Sequence, residues 1–185
     1  AYTRAVALEL DMSESQADEI STAAILHDLG KLHVPDAVLR KNGKLSDEER
    51  RLVHEHTLAG ERMLPDKPAF VLPRQIARSH HENWDGTGYP DGLNGKAIPH
   101  AARIVHVVDV FDALVSERPY KSAWPTERTM AYLSDHSGTF FEPDVVDAFM
   151  RCGGRDADDL PGRDADDRRG DAGRLGPQVA AAGVV

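Results

Sequence analysis

Apolar residues in this chain recur every three or four positions. No stretch alternates apolar with polar residues as a half-buried strand would, so the spacing predicts an all-α fold. The clearest segment runs from 99 to about 116. There Ile104, Val107, Val108, Phe111 and Leu114 form a stripe, and Pro99 suits a first helical turn. Upstream, Ser13 with Gln16 and Ser46 with Glu49 have the spacing of capping boxes. The first opens a helix running through Ala23, Ala24, Ile25 and Leu26, with Gly30 as its C-terminal stop. The second opens a helix carrying Leu52, His56, Ala59 and Met63, ended by Pro65. Residues 2–10 read as the tail of a first helix and 36–44 as a turn-rich connector. Residues 70–81 read as a helix with Leu72, Ile76 and His80 on one face. Shorter helices are expected over 126–135 and 143–151. Residues 83–99 form a long glycine-rich loop, a kind of segment that in compact domains is often functional.

With 185 residues, 41% hydrophobic and 29% charged, the chain can bury a core without staples. Its single cysteine, Cys152, excludes a disulfide framework and an all-cysteine zinc site. No apolar run approaches the roughly 20 residues of a membrane span. No signal-peptide pattern is present, so a cytoplasmic setting is expected. The chain opens on Ala1 and its first residues read as already helical, so a fragment of a longer protein is expected. The net charge of −9 argues against binding a DNA or RNA polymer. A small phosphate ligand would need positive charge supplied locally, by a few side chains or by metal ions. Residues 152–185 differ in kind. They are rich in Gly, Asp, Arg and Ala and repeat Arg-Asp-Ala-Asp-Asp at 155–159 and 163–167, so a disordered, solvated tail is expected after a folded domain of residues 1–151.

Several titratable residues sit where they are least expected. His27 and Asp28 follow the apolar run Ala-Ala-Ile-Leu, and Asp109 interrupts Val107-Val108-Asp109-Val110-Phe111. An ionised carboxylate in such surroundings needs a partner or a metal. His80 and His81 adjoin just before the glycine-rich loop, and His56 shares a helical spacing with Leu52 and Met63, which turns it inward. Any one of these is more often an ordinary core residue. Together, four histidines and two aspartates near apolar helical faces suit a transition-metal site of the Mn, Fe, Ni, Co or Zn type. No HExxH spacing occurs, so the ligands must meet through the fold. His33, His54, His100, His106 and His136 lack such a context and are read as non-ligands. Trp84 and Tyr89 are read as loop packing.

His-Asp-Leu-Gly-Lys at 27–31 resembles the HD motif of the HD phosphohydrolase superfamily. Residues 80–90 resemble the signature of its HD-GYP subfamily, with Gly88-Tyr89-Pro90 as the GYP itself. The likeness continues through Pro35-Asp36, residues 44–49, 109–114, 118–121 and 138–143, and so covers about residues 1–150. It implies an HD-domain helical bundle of five to seven helices with a long GYP loop, built around a metal centre. It also implies hydrolysis of cyclic di-GMP to pGpG, and in some members to GMP, by a metal-bridging hydroxide. By matched position, Asp28 bridges two metals. His27, Asp28 and Asp109 resemble one ligand set, and His56, His80 and His81 with Asp28 the other. Lys31 resembles the lysine beside the scissile phosphate, while Arg118 and Lys121 resemble contacts to the ligand's phosphates. Asp112, one turn after Asp109, is a candidate for orienting a ligand.

The resemblance implies two divalent transition-metal ions, with Fe or Mn favoured over Ni, Co or Zn. It further implies the role of output domain in a bacterial two-component or related regulator, signalling partners reached through the GYP loop, and a homodimer. Two alternatives stand beside it: a catalytically weak cyclic di-GMP-binding or docking module, and a phosphodiesterase for another cyclic dinucleotide. The chain departs from the family pattern in three places. It lacks the first-helix His and Glu that usually lie upstream, so at most two metals are expected. Thr57 stands for the usual Pro, and Phe140 and Glu142 stand for the usual His and Asp.

Overall fold

Both serine–acid/amide pairs read from the sequence form complete capping boxes. Gln16 N donates to Ser13 Oγ at 3.3 Å and Ser13 N to Gln16 Oε1 at 3.0 Å. Glu49 N donates to Ser46 Oγ at 3.2 Å and Ser46 N to Glu49 Oε2 at 2.7 Å. Each box satisfies amides that would otherwise lack an acceptor at a helix start. The computed structural model of the chain describes residues 1–41, 43–117 and 123–153. Its helices are α1 (Tyr2–Glu9), α2 (Glu14–Ala24), α3 (Asp36–Leu39), α4 (Asp47–His54), α5 (His56–Met63), α6 (Val71–Ser79), α7 (His100–Val115), α8 (Thr126–Asp135) and α9 (Pro143–Cys152). Short 3-10 turns occupy Leu29–His33, Pro68–Phe70 and Gly95–Ala97. Among the described residues the only strand-like pairing is a single bridge between Ser137 and Phe141, so the fold is all-α.

Helix α7 is the axis of the bundle, touching α1, α6, α8 and α9. Ala102, Ile104, Val105, Val107, Val110, Phe111 and Leu114 are all buried on it. Val6 and Ala7 of α1, Ile20 of α2, Ile76 of α6, Leu133 of α8 and Val145 and Phe149 of α9 complete the same core. Burying each large side chain contributes about 1.5–3 kcal/mol. Phe111 is held between Tyr2 and Phe149, with ring centroids 5.2 and 4.8 Å away. Among the described residues no helix is long and apolar enough to cross a membrane.

The structure departs from local spacing in four places. The helix expected to run unbroken to Pro65 is interrupted at Glu55, giving α4 and α5. Counting in steps of three and four across that break misassigns the buried face. Leu52 and Met63 are 37% and 47% exposed, while Val53, His56, Thr57, Ala59 and Gly60 are buried. His56 points inward as expected, but not in their company. Helix α2 stops at Ala24, and residues 25–27 continue as tight turns whose amides reach back three residues. Ile25 is consequently 77% exposed. Gly30 is not a left-handed helix cap. It lies in the 3-10 turn where that turn touches α5, and an added Cβ would lie 1.9 Å from His56 O and 2.4 Å from Gly60 N. Cys152, read from the sequence as the first tail residue, closes α9 and is buried in the core. The rest of the expected tail, from Gly154 on, lies outside the described residues, as do Arg118 and Lys121.

Candidate metal centre

Three close approaches assemble the site. The tight turns after α2 carry His27 and Asp28 into the 3-10 turn that holds Lys31. Because Gly30 and Gly60 have no side chains, this turn lies directly on α5, whose first residue is His56. His80 caps the C-terminus of α6, His81 follows it, and α6 packs on both α5 and α7. Asp109 reaches the same place from the middle of α7. One turn earlier on α7, His106 donates from Nδ1 to the carbonyl of His80 at 2.8 Å. That bond ties the backbone at the His80–His81 pair to the central helix.

Asp28, His56, His80 and His81 each offer one ligand atom, and these four atoms lie within 4.8 Å of one another. The two carboxylate oxygens of Asp28 face different groups. Oδ1 is 3.5 Å from His56 Nε2 and 3.7 Å from His80 Nε2. Oδ2 is 3.4 Å from His27 Nε2 and 2.5 Å from Lys31 Nζ. His27 Nε2 is also 3.5 Å from Asp109 Oδ1. A carbonyl can only accept, so the ring contacts to backbone decide tautomers. Nδ1 of His27 meets Ala24 O at 2.7 Å, Nδ1 of His56 meets Val53 O at 2.7 Å, and Nδ1 of His80 meets Ile76 O at 3.0 Å. Each Nδ1 therefore carries a proton and turns Nε2 toward the shared centre, the orientation a metal-binding imidazole requires. The buried atoms His27 Nε2, Asp28 Oδ1 and His81 Nε2 have no hydrogen-bond partner among the described residues. Buried polar atoms are rarely left so. Three imidazoles and a carboxylate converging on one point form a donor set for a divalent transition metal, and the orphaned atoms fit such an ion.

The charges around the centre are interdependent. Burial opposes ionising Asp28, yet His27, His80 and Lys31 hold its carboxyl well below the usual range. Burial likewise opposes ionising Asp109, and His27 lowers its pKa nevertheless. Burial disfavours the charged form of His27, but Asp109 and Asp28 outweigh it and lift the imidazole to about 10. Burial and the neighbouring His80 push His56 down to about 3 and His81 well below its ordinary value. Without a cation, then, the proton on His27 answers the two carboxylates, while His56 and His81 present neutral nitrogens.

The glycine-rich loop closes one side. A Cβ on Gly88 would come within 2.2 Å of Asn83 N and 2.5 Å of His81 O, so this position folds directly onto the backbone that carries His81. Its glycine serves this close contact. The next residue, Tyr89, stacks on His54 with centroids 3.7 Å apart and planes 5° apart, and on His81 at 4.9 Å and 25°. The hydroxyl of Tyr89 is buried without a hydrogen-bond partner among the described residues. The carboxylate of Glu82, 2% exposed, accepts from Asp91 N at 2.7 Å and Leu93 N at 3.0 Å. Arg78 grips Asp91 through two bonds of 2.7 and 2.8 Å, which anchors the far end of the turn. Trp84 lies under the Arg103 guanidinium, 5.7 Å from its ring centre.

Of the residues singled out by sequence, His27, Asp28, Lys31, His56, His80, His81 and Asp109 come together. Asp112 lies half-buried one turn further along α7. Arg118 and Lys121 fall outside the described residues. Spacing alone passed over His54, His106 and Glu82, whose partners are distant in sequence. A family profile described as HD domain matches residues 1–145. The "Cyclic di-GMP phosphodiesterase response regulator RpfG" of Xanthomonas campestris is 48% identical over 148 residues, covering 79% of this chain and 39% of that protein. The "3'3'-cGAMP-specific phosphodiesterase 2" of Vibrio cholerae is 38% identical over 151 residues, covering 80% of this chain and 29% of that protein. This chain therefore spans well under half the length of either relative. The solved structure of Bd1817, an HDG"Y"P protein from Bdellovibrio bacteriovorus, superposes with a TM-score of 0.64 at 24% identity, over 80% of this chain and 47% of its own, and so shares the fold. With the HD residues and their partners gathered at one centre, and the profile match spanning more than half its length, the chain belongs to the HD domain family.

Proposed function

We propose that the chain is a metal-dependent phosphodiesterase domain that hydrolyses cyclic di-GMP to pGpG, with GMP as the alternative end product. One observation carries this reading: four donor atoms from residues 28, 56, 80 and 81 lie within 4.8 Å of one another, and Asp28 Oδ1 and His81 Nε2 are buried without hydrogen bonds among the described residues. His56, His80, His81 and Asp28 would hold one divalent ion. His27, Asp109 and the other oxygen of Asp28 would hold a second. Fe or Mn is favoured, with Ni, Co or Zn as alternatives for such a donor set. Held by these residues, divalent ions would supply an activated water and would draw charge from phosphoryl oxygens. Hydrolysis of a phosphodiester forms one P–O bond from water and breaks the bond to the ribose oxygen, which leaves with a proton.

The chain's own residues do the rest. Asp28 bridges the two donor sets with one oxygen each. The Lys31 ammonium, held 2.5 Å from Asp28, stands beside the centre to balance charge building on the phosphoryl group. Arg118 and Lys121 would take the substrate's phosphates, and Asp112 would orient a ligand. Positive charge gathered at this point reconciles a net charge of −9 with an anionic substrate. Likeness to the response regulator supports the role of output domain in a signalling regulator, and a cytoplasmic setting belongs to the same proposal. Docking of signalling partners through the GYP loop would use its outer face, because the Tyr89 hydroxyl is buried. A homodimer belongs to the same proposal.

Metal analysis combined with turnover of cyclic di-GMP in added Mn²⁺ or Fe²⁺ tests this reading. Asp28→Ala removes both metal retention and hydrolysis; an active, metal-free Asp28→Ala protein refutes it. Lys31→Ala slows the chemical step and leaves metal content intact. The cGAMP-specific relative favours a second substrate, so kcat/KM for cyclic di-GMP and 3′3′-cGAMP should be measured side by side. Tight binding of either with no product marks the chain as a binding module instead.

A further inference from the structure

The imidazoles of the centre are not all aimed in the same way. His27, His56 and His80 each have Nδ1 bonded to a backbone carbonyl three or four residues earlier. Among the described residues no hydrogen bond holds the ring of His81, whose Nε2 is buried and unpartnered. Its orientation rests on ring contacts, with Tyr89 at 4.9 Å, His80 at 4.1 Å and His56 at 5.1 Å. Tyr89 is in turn braced by His54, nearly coplanar at 3.7 Å. The Nε2 of His54 is itself buried without a partner among the described residues, so His54 holds the tyrosine with its flat face and not with that nitrogen. His54 is fixed at the end of α4, where Thr57 Oγ1 donates to its carbonyl at 3.0 Å.

We infer that His54 is a positioning residue for the metal centre: its ring stacks on Tyr89 and thereby sets the orientation of His81. The inference rests on reading His81 as a ligand. Groups that orient a metal ligand from behind typically change metal affinity by about 10- to 100-fold when removed. The substitutions that isolate the stack are His54→Phe, which keeps a flat ring without nitrogens, and His54→Leu, which keeps apolar bulk without a ring. Co²⁺ is the probe, its affinity read by titration and its site geometry by visible absorption.

His54→Leu is expected to bind Co²⁺ at least about tenfold more weakly and to alter the absorption bands. His54→Phe should stay within about twofold of the unmodified chain and keep its spectrum. The inference is overturned if the leucine variant binds as tightly as the unmodified chain, or if the phenylalanine variant weakens along with it. Circular dichroism checks that both fold; if either does not, His54→Tyr and His54→Met provide the same contrast. An unmodified chain that takes up no Co²⁺ overturns the metal-centre reading and this inference together. Loss of the ring contrast in a chain that binds Co²⁺ overturns this inference alone.

Discussion

Replacing Gly30 with alanine tests whether the contact between the HD turn and α5 builds the site. The added Cβ would lie 1.9 Å from His56 O, 2.4 Å from Gly60 N and 2.8 Å from His56 C. Carbon atoms normally keep about 3.5 Å from such neighbours. All three atoms are backbone, so no side chain can rotate away, and the turn and helix must part by more than an ångström. Gly60→Ala is the internal control. Its Cβ would be 3.2 Å from Gly30 N and 3.4 Å from Ala77 Cβ, which a shift of a few tenths of an ångström relieves. Overpacking costs about 1–3 kcal/mol. Gly30→Ala belongs at or above the top of that range and Gly60→Ala near the bottom. At about 2–4 °C per kcal/mol for a chain of this size, the expected losses in Tm are about 6–12 °C and 2–4 °C. The same displacement lengthens the 3.5 Å gap between Asp28 Oδ1 and His56 Nε2. Metal sites tolerate only about 0.5 Å of misplacement, so Co²⁺ affinity should fall with stability. Calorimetry of the metal-free protein and a Co²⁺ titration measure both effects. A Gly30→Ala protein that melts with the unmodified chain, or a Gly60→Ala protein that falls as far, would refute the argument.

Two further outcomes concern charge. In metal-free protein, His27 is raised from 6.5 to about 10, so its contribution is complete below pH 6.5 and disappears as pH rises toward 10. His56 and His106 are lowered from 6.5 to about 3 and 4, so their neutral burial contributes above pH 6.5 and is lost as pH falls toward those values. Urea midpoints of chelator-treated protein should therefore peak near pH 6.5 and fall on both sides; a steady rise from pH 5 to 9 is the contrary result. Separately, Arg103 pairs with Glu142, their side chains being 11% and 6% exposed. Arg103→Met strands a buried carboxylate and should lower unfolding free energy by about 3 kcal/mol in urea titrations, whereas Arg103→Met with Glu142→Met should recover most of it.

Much of this molecule was legible from short-range signals. Ser13 with Gln16 and Ser46 with Glu49 mark helix starts because a serine hydroxyl and a side chain three residues on satisfy amides within one turn, whatever the surrounding fold. The stripe on α7 is legible for a similar reason, since a helix uninterrupted over many turns keeps its period. His27, Asp28, Lys31, His56, His80, His81 and Asp109, marked in the sequence by apolar settings or by the motif series, are brought to one place by the fold. Tertiary contact decided the rest. Leu52 and Met63 turn outward because the α-helical register breaks at Glu55. Gly30 is required by the backbone of a helix some thirty positions away. His54 and His106 matter through Tyr89 and the carbonyl of His80, neighbours that no local period brings together. A helical repeat encodes which side of its own helix a residue faces, but not which nitrogen another helix will set before it. That depends on how closely two backbones approach, and here glycines 30, 60 and 88 permit the approach.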